Sequence, residues 1–386
     1  MADAWRDGEA PRRIAAAQRA MAAEGLDALL VIGGANLTYL SGYPGVERTL
    51  ARALVLLLPR AGAPCLIVHD FRRHQAAWYS WVEDVRGYSR LSEAPVEAIR
   101  GALADRGLTG GRIGAELGYE QRLNLPLAEL ERLRDALERF ELVDAAALLW
   151  GLRMRKSPLE IARLRRAGQV TADAYAACFA AARAGMGEDE IALRMRLELV
   201  RRAGGDAWVV LGSGRGRYHL AVGFPGPRPV EPGDMVWMDA GCSVGGYWSD
   251  YSRAGVVGGA SAEQREAQAL LQEATAAGVR LVRAGVPVAE IAHACNRRLA
   301  DLGLPLVANL SDLAGRIGHG IGLEYTEPPH VAEYDPTVLE AGMVISVEPG
   351  VATEYGLFHV EENVVVTEEG CQVLSVAPRE LWSIAG

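Results

Sequence analysis

The stretch that most restricts the fold of this chain is Val236-Trp-Met-Asp-Ala-Gly-Cys-Ser-Val-Gly-Gly-Tyr-Trp-Ser-Asp-Tyr251. Val236, Trp237 and Met238 form an apolar run suited to a buried strand, and Gly245-Gly246 supplies a turn that folds the chain back as a hairpin. The hairpin brings Asp239 and Asp250 close to opposite one another on adjacent strands, to within a residue or two of register. Like charges facing across strands are destabilising unless something cationic sits between them. The residues favour a divalent metal over two solvated carboxylates on a surface hairpin.

Before this hairpin the chain reads as a separate α/β domain. An Ala-rich helix over Arg12 to Glu24 is followed by Gly25 and an apolar strand from Ala28 to Ile32. Asn36 to Tyr43 reads as a polar connector, and Ala53 to Leu58 with Pro64 to Val68 as a strand pair turning at Pro59 to Ala63. Strand and helix signals then alternate through Arg112 to Glu116, Leu127 to Phe140 and Leu148, the pattern of an α/β domain of roughly 150 residues. His69 and His74 lie near Asp70 at a strand end and carry no evident chemistry. Ser157-Pro158-Leu159-Glu160 is a capping box with proline at the first helical position, so a second domain over residues 151–386 is expected to begin near Trp150.

That second domain repeats itself. Arg183-Ala-Gly-Met-Gly-Glu-Asp-Glu-Ile-Ala192 is echoed by Arg283-Ala-Gly-Val-Pro-Val-Ala-Glu-Ile-Ala292, and the segment Glu231 to Gly241 by Glu340 to Gly350, with Asp239 matching Glu348. Two echoes in the same order argue for a duplicated helix-then-hairpin unit. The second hairpin turns near Glu354 to Gly356 and carries Glu361 and Glu362 on its return. Packed about a pseudo-twofold axis, the halves would bring Asp239, Asp250, Glu348 and Glu361 to one place. Four carboxylates together require cations, and a pair of divalent ions suits activation of water against a carbonyl or phosphoryl centre. His319, in Gly318-His-Gly-Ile-Gly322, adds an imidazole where the backbone can approach closely. Mostly oxygen donors with one imidazole suit manganese, cobalt, iron or zinc; calcium is disfavoured.

The net charge of -9 and the dispersal of arginine give no footprint for nucleic acid. Five scattered cysteines suggest neither a disulfide framework nor a metal motif, and fit a reducing cytoplasm. The first residues lack the apolar core of a signal peptide, and the longest apolar run, near Leu54 to Leu58, is too short to span a bilayer, so neither secretion nor membrane insertion is expected.

Met238-Asp-Ala-Gly with Gly246-Tyr-Trp-Ser-Asp250, then Gly318-His-Gly-Ile-Gly-Leu-Glu324, Ser346-Val-Glu-Pro-Gly350 and Val360-Glu361 before Val364-Val-Val-Thr367, resemble the pita-bread metallopeptidases, a family that includes methionine aminopeptidase, prolidase, aminopeptidase P and creatinase. The likeness covers about residues 157 to 380. The first 150 residues, with Asn36-Leu-Thr-Tyr-Leu40, are similar to the N-terminal domain of the prolidase and creatinase branch. The resemblance implies an α/β creatinase/prolidase-type N-terminal domain, an α+β pita-bread catalytic domain with internal pseudo-twofold duplication, and a homodimer.

It also implies two metal ions held by Asp239, Asp250, His319, Glu348 and Glu361, with Asp250 and Glu361 bridging. Hydrolysis of a small amide, foremost an Xaa-Pro dipeptide, by a metal-bridging hydroxide would follow, with Glu348 relaying the proton. Glu361, six residues before Thr367, fits the family pattern, leaving Glu362 for a supporting or surface position. His219, in a loop with Gly212, Gly214 and Gly216, resembles a substrate-contacting histidine, although Tyr218 stands where proline is usual. Three further positions are expected near substrate: Thr326 replaces a second family histidine, His359 replaces an arginine, and His330 lies nearby. Threonine cannot act as an imidazole donor. Its presence leaves open a creatinase-like hydrolase or lyase of a small non-peptide metabolite, and a catalytically silent binding protein is a third possibility.

Overall fold

The structure is a computed structural model describing residues 8–44, 51–220 and 223–386; the extreme N-terminus, on which the secretion argument drew, lies outside them. The chain divides into two compact units, 1–153 and 154–386. The expected boundary at Trp150 falls within the helix Ala146–Met154.

In the first unit six strands, β1 (Ala28–Ile32), β2 (Val55–Pro59), β3 (Cys65–His69), β4 (Asp84–Tyr88), β5 (Gly111–Ala115) and β6 (Phe140–Asp144), form one sheet in the order β4-β3-β2-β1-β5-β6. The β1–β2 and β2–β3 pairs are antiparallel, and the other three are parallel. β1 and β2 are buried along their whole length, as continuous apolar runs at the centre of a covered sheet should be. One expectation fails: Asn36 to Tyr43 is no polar connector but mostly the helix Gly34–Ser41. Leu37 and Leu40 are fully buried. The Asn36 amide meets Glu116 and Gln121 at 2.7 Å each, so a residue that reads as loop is held inside by tertiary partners.

The second unit runs helix, helix, strands, twice over. Helices Pro158–Ala181 and Glu188–Ala203 precede β7 (Ala207–Ser213), β8 (Met235–Val244), β9 (Tyr247–Trp248) and β10 (Tyr251–Val257). Helices Ala262–Val279 and Val288–Ala300 precede β11 (Leu306–Asn309), β12 (His319–Gly320), β13 (Glu327–His330), β14 (Val344–Val347), β15 (Gly350–Thr353), β16 (Gly356–His359) and β17 (Glu362–Val366), with β18 (Cys371–Val373) and β19 (Trp382–Ile384) closing the chain. The first helix of each set starts on a capping box, Ser157 with Glu160 and Ser261 with Gln264.

The sequence echoes share backbone geometry. Gly185 and Gly285 both sit at φ +84°, and their N–H groups donate to Val230 O and Leu339 O at 2.9 and 2.8 Å. Gly233 and Gly342 both sit at φ +89°. Matching glycines therefore serve matching left-handed turns.

The strands form three sheets, β19-β10-β8-β7 with β9 on β8, β11-β15-β16, and β13-β12-β14-β17-β18. Within the unit a buried seam ties the first to the third: Asn363 accepts the Asp250 N–H at 3.1 Å and donates back to Asp250 O. No helix among the described residues is long and apolar enough to cross a membrane.

Candidate metal centre

Gly245 and Gly246, both at positive φ, close the turn between β8 and β9, and the register places Asp239 across from Ser252. Asp250 is thus two places along from the position opposite Asp239, a diagonal neighbour on the same face. Gly241 makes room for this, because a Cβ there would run into the Ser249 carbonyl. In the second hairpin Gly350 pairs with His359 and Thr353 with Gly356, so Glu348 leads into one strand as Glu361 leaves the other. His319 stands on β12 between two glycines whose Cβ atoms would meet backbone carbonyls of Ser346 and Pro328. Only glycine lets β12 lie that close to its neighbours.

These elements bring four of the five expected ligands into two clusters that share Glu361, and Asp239 lines the same cavity as Asp250, His319 and Glu348. Asp250, His319 and Glu361 each present a ligand atom within 4.8 Å of the others, and so do Glu348, His359 and Glu361. His319 Nε2 lies 3.6 Å from Asp250 Oδ2 and 3.4 Å from Glu348 Oε1. Oδ1 of Asp239, Oδ1 of Asp250 and both carboxylate oxygens of Glu361 are buried without a hydrogen-bond partner. Such atoms are rare in native interiors because each forfeits its hydration.

The electrostatics are correspondingly severe. Burial, then the charge of Glu348, pushes the Asp239 carboxyl up to about 8. Burial and the neighbouring carboxylates hold Asp250 and Glu361 well above the usual range. Burial and the nearby Arg316 push His319 down to about 3, leaving a neutral imidazole. Its Nδ1 lies 2.9 Å from Gly320 O, so Nδ1 carries the proton and the lone pair of Nε2 points at the carboxylates. Unpartnered carboxylate oxygens around a neutral imidazole fit a divalent cation.

Glu362 is not at the surface: its side chain is 1 % exposed and is tied to Arg253 at 3.1 Å, to Arg379 at 2.7 Å and to Ser375. Successive residues of a strand face opposite ways, so Glu361 faces the cluster while Glu362 faces the arginines. Arg253 also donates to Glu361 O at 2.8 Å, fixing the backbone of the one from the side chain of the other. Ser346 Oγ receives the His319 N–H at 3.0 Å and reaches Glu348 Oε1 at 3.4 Å.

The cluster opens onto a cavity of about 470 Å³, with Asp239, Asp250, His319, Glu348, Thr326 and His359 in its lining. His219 and His330 are not brought there. His219 is exposed on the short turn Tyr218–Leu220, and His330 lies buried on β13 behind Arg316, 2.9 Å from its guanidinium. Arg316, Trp208 and Ser252 were not singled out from the sequence; the first two line the cavity, and Ser252 holds His359 at 2.8 Å. Arg316 stands three residues before His319, a proximity that could have drawn attention, whereas Trp208 reaches the cavity from a strand with no motif.

Residues 162–368 match the model of metallopeptidase family M24, and residues 13–155 that of the creatinase/prolidase N-terminal domain. The chain belongs to the M24 metallopeptidases, in the prolidase-like branch, and is a hydrolase of metal-dependent peptidase type. It is 29 % identical over 384 residues to a probable dipeptidase PepE of Mycobacterium tuberculosis, covering 96 % of this chain and 95 % of that one. It is 27 % identical over 361 residues to an Xaa-Pro dipeptidase of Pyrococcus horikoshii, covering 92 % and 94 %. The structure of dipeptidase PepE from Mycobacterium ulcerans superposes with a TM-score of 0.81 at 28 % identity over 98 % of both chains. An Xaa-Pro dipeptidase from Bacillus anthracis shares the fold, with a TM-score of 0.83 at 24 % identity over 97 % of this chain and all of that one.

Proposed function

We propose that this chain is a dinuclear metal-dependent dipeptidase whose substrate is an Xaa-Pro dipeptide or an amide of similar size. The observation that carries the reading is the set of buried, unpartnered carboxylate oxygens of Asp239, Asp250 and Glu361, the first two residues lining a 470 Å³ cavity. Asp239, Asp250, His319, Glu348 and Glu361 would hold the ions, of manganese, cobalt, iron or zinc. When bound, such ions supply Lewis-acid polarisation of a carbonyl and ionise water near neutral pH.

The protein's own groups do the rest. Glu348, at the cavity wall with Ser346 beside one of its oxygens, is placed to take a proton from the attacking water and return it to the leaving nitrogen. Arg316 offers a cation to the substrate carboxylate, and Trp208, Trp237 and Tyr325 give apolar walls for a proline ring. The volume suits a dipeptide-sized ligand. The relatives named as dipeptidases support this choice of substrate. A homodimer in the cytoplasm completes the proposal, consistent with five free cysteines.

Thr326 lines the cavity without a group able to shuttle a proton, which favours a second reading, a small non-peptide amide as substrate. The test is proline release from a panel of Xaa-Pro dipeptides by metal-free protein titrated with manganese, cobalt or zinc, beside Asp250→Ala. Metal-dependent turnover that the substitution abolishes is expected. A protein that binds two ions and turns over no dipeptide would sink the dipeptidase assignment and leave the non-peptide amide.

A further inference from the structure

Like His319, His359 has Nδ1 against a protein oxygen and Nε2 toward a carboxylate. Ser252 Oγ lies 2.8 Å from His359 Nδ1 and 2.9 Å from His359 O, so it can accept a proton from Nδ1 while giving its own to the carbonyl. In that tautomer Nδ1 carries the ring proton and Nε2 is bare. That bare nitrogen points at another acceptor, Glu348 Oε2, across 3.7 Å, too long for a hydrogen bond. Two lone-pair donors facing one another repel unless a cation lies between them. Ligand atoms each ~2.1 Å from a tetrahedral ion stand about 3.4 Å apart, close to the separations seen at both histidines.

The ring is also fixed for the purpose. Gly350 lies against it, since a Cβ there would come within 2.6 Å of His359 Cδ2, and Trp237 meets it edge to face at 5.6 Å. A ligand imidazole whose other nitrogen is tied to the protein and whose plane is set by packing is how metal-binding histidines are ordinarily held.

Resting on the dinuclear reading above, we infer that His359 Nε2 is a metal ligand, binding the ion that Glu348 and Glu361 hold, so that each ion has one imidazole. Glu361 is shared between the trio of Asp250 and His319 and the trio of Glu348 and His359. The second ion thereby gains a nitrogen donor, which shifts its preference from manganese toward cobalt, iron or zinc. His359 is then a ligand and not the substrate contact that its place in the sequence suggests.

The test uses the full chain loaded with cobalt(II). Each ligating histidine contributes one exchangeable, hyperfine-shifted imidazole N–H to the proton NMR spectrum. Two are expected in the wild type and one in His359→Gln, with affinity for the second ion reduced at least tenfold by calorimetric titration. Ser252→Ala, which leaves the imidazole in place but unheld, is expected to keep both resonances, move one, and weaken the second ion less. Unchanged melting of the metal-free variants establishes that they fold. If wild type and His359→Gln give the same single resonance and the same two affinities, the assignment is overturned, and a raised KM alone would make His359 a substrate contact. A wild type that binds fewer than two ions would overturn the dinuclear reading itself, and this assignment with it.

Discussion

Asp239→Asn should stabilise the metal-free protein at neutral pH while crippling its response to metal. The folded structure holds the Asp239 carboxyl at about 8 against 3.8 for the free side chain, chiefly through burial. Below pH 3.8 the group is protonated in both states and costs nothing. Between 3.8 and 8 the unfolded chain ionises while the folded chain keeps its proton, so stability falls as pH rises, and above 8 the loss is complete. At pH 7 the gap is about three pH units, each ~1.4 kcal/mol, so the penalty is about 4 kcal/mol. An amide of the same shape carries no such penalty. With roughly 2–4 °C per kcal/mol for a unit of this size, metal-free Asp239→Asn should melt about 10 °C above metal-free wild type at pH 7, with the difference vanishing toward pH 4. Added manganese or cobalt should raise the wild-type melting temperature and leave the variant almost unmoved. Thermal melts of chelator-treated protein from pH 4 to 8.5, with and without metal, read all of this. Equal melting temperatures at pH 7, or a difference independent of pH, would refute the argument that unneutralised burial of this carboxyl destabilises the metal-free state.

Two further perturbations address the supports of the site. Arg253→Met removes the guanidinium that pairs with Glu362 and holds Glu361 O; with Arg379 still beside Glu362, a loss of about 3 kcal/mol in urea unfolding is expected, and a loss under about 1 kcal/mol would show that the buried pair is not needed. Gly318→Ala drives a methyl into the Ser346 carbonyl and should cost about 2–3 kcal/mol with loss of metal binding, whereas Gly370→Ala, with open space around it, should be neutral; equal effects at the two positions would contradict the close approach of β12.

The sequence by itself determined most of the elements and which acidic and imidazole side chains are candidate ligands. Apolar runs fixed β1, β2, β3 and β8; Ser157 with Glu160 fixed a helix start; and the spaced Asp, His and Glu motifs marked Asp239, Asp250, His319 and Glu348, which line one cavity, and Glu361, which clusters with the last three of them. These signals are local, because hairpin register, capping and glycine conformations depend on near neighbours. Two echoes in the chain likewise anticipated turns with the same φ.

What depends on distant partners was not legible. Gly34–Ser41 is a helix with Asn36 buried in it, and Glu116 and Gln121 satisfy that amide from far along the chain. Glu362 reads as a supporting or surface residue, and only Arg253, Arg379 and Ser375, drawn from other segments, settle that it is buried. His219 and His330 looked as eligible as His359, yet burial and packing separate them: one is exposed, one is turned to Arg316, and one is clamped between Ser252, Gly350 and Trp237 with Nε2 toward Glu348. A sequence specifies which donors a chain owns; which lone pairs face each other across a few ångströms is set only when strands from different sheets pack together.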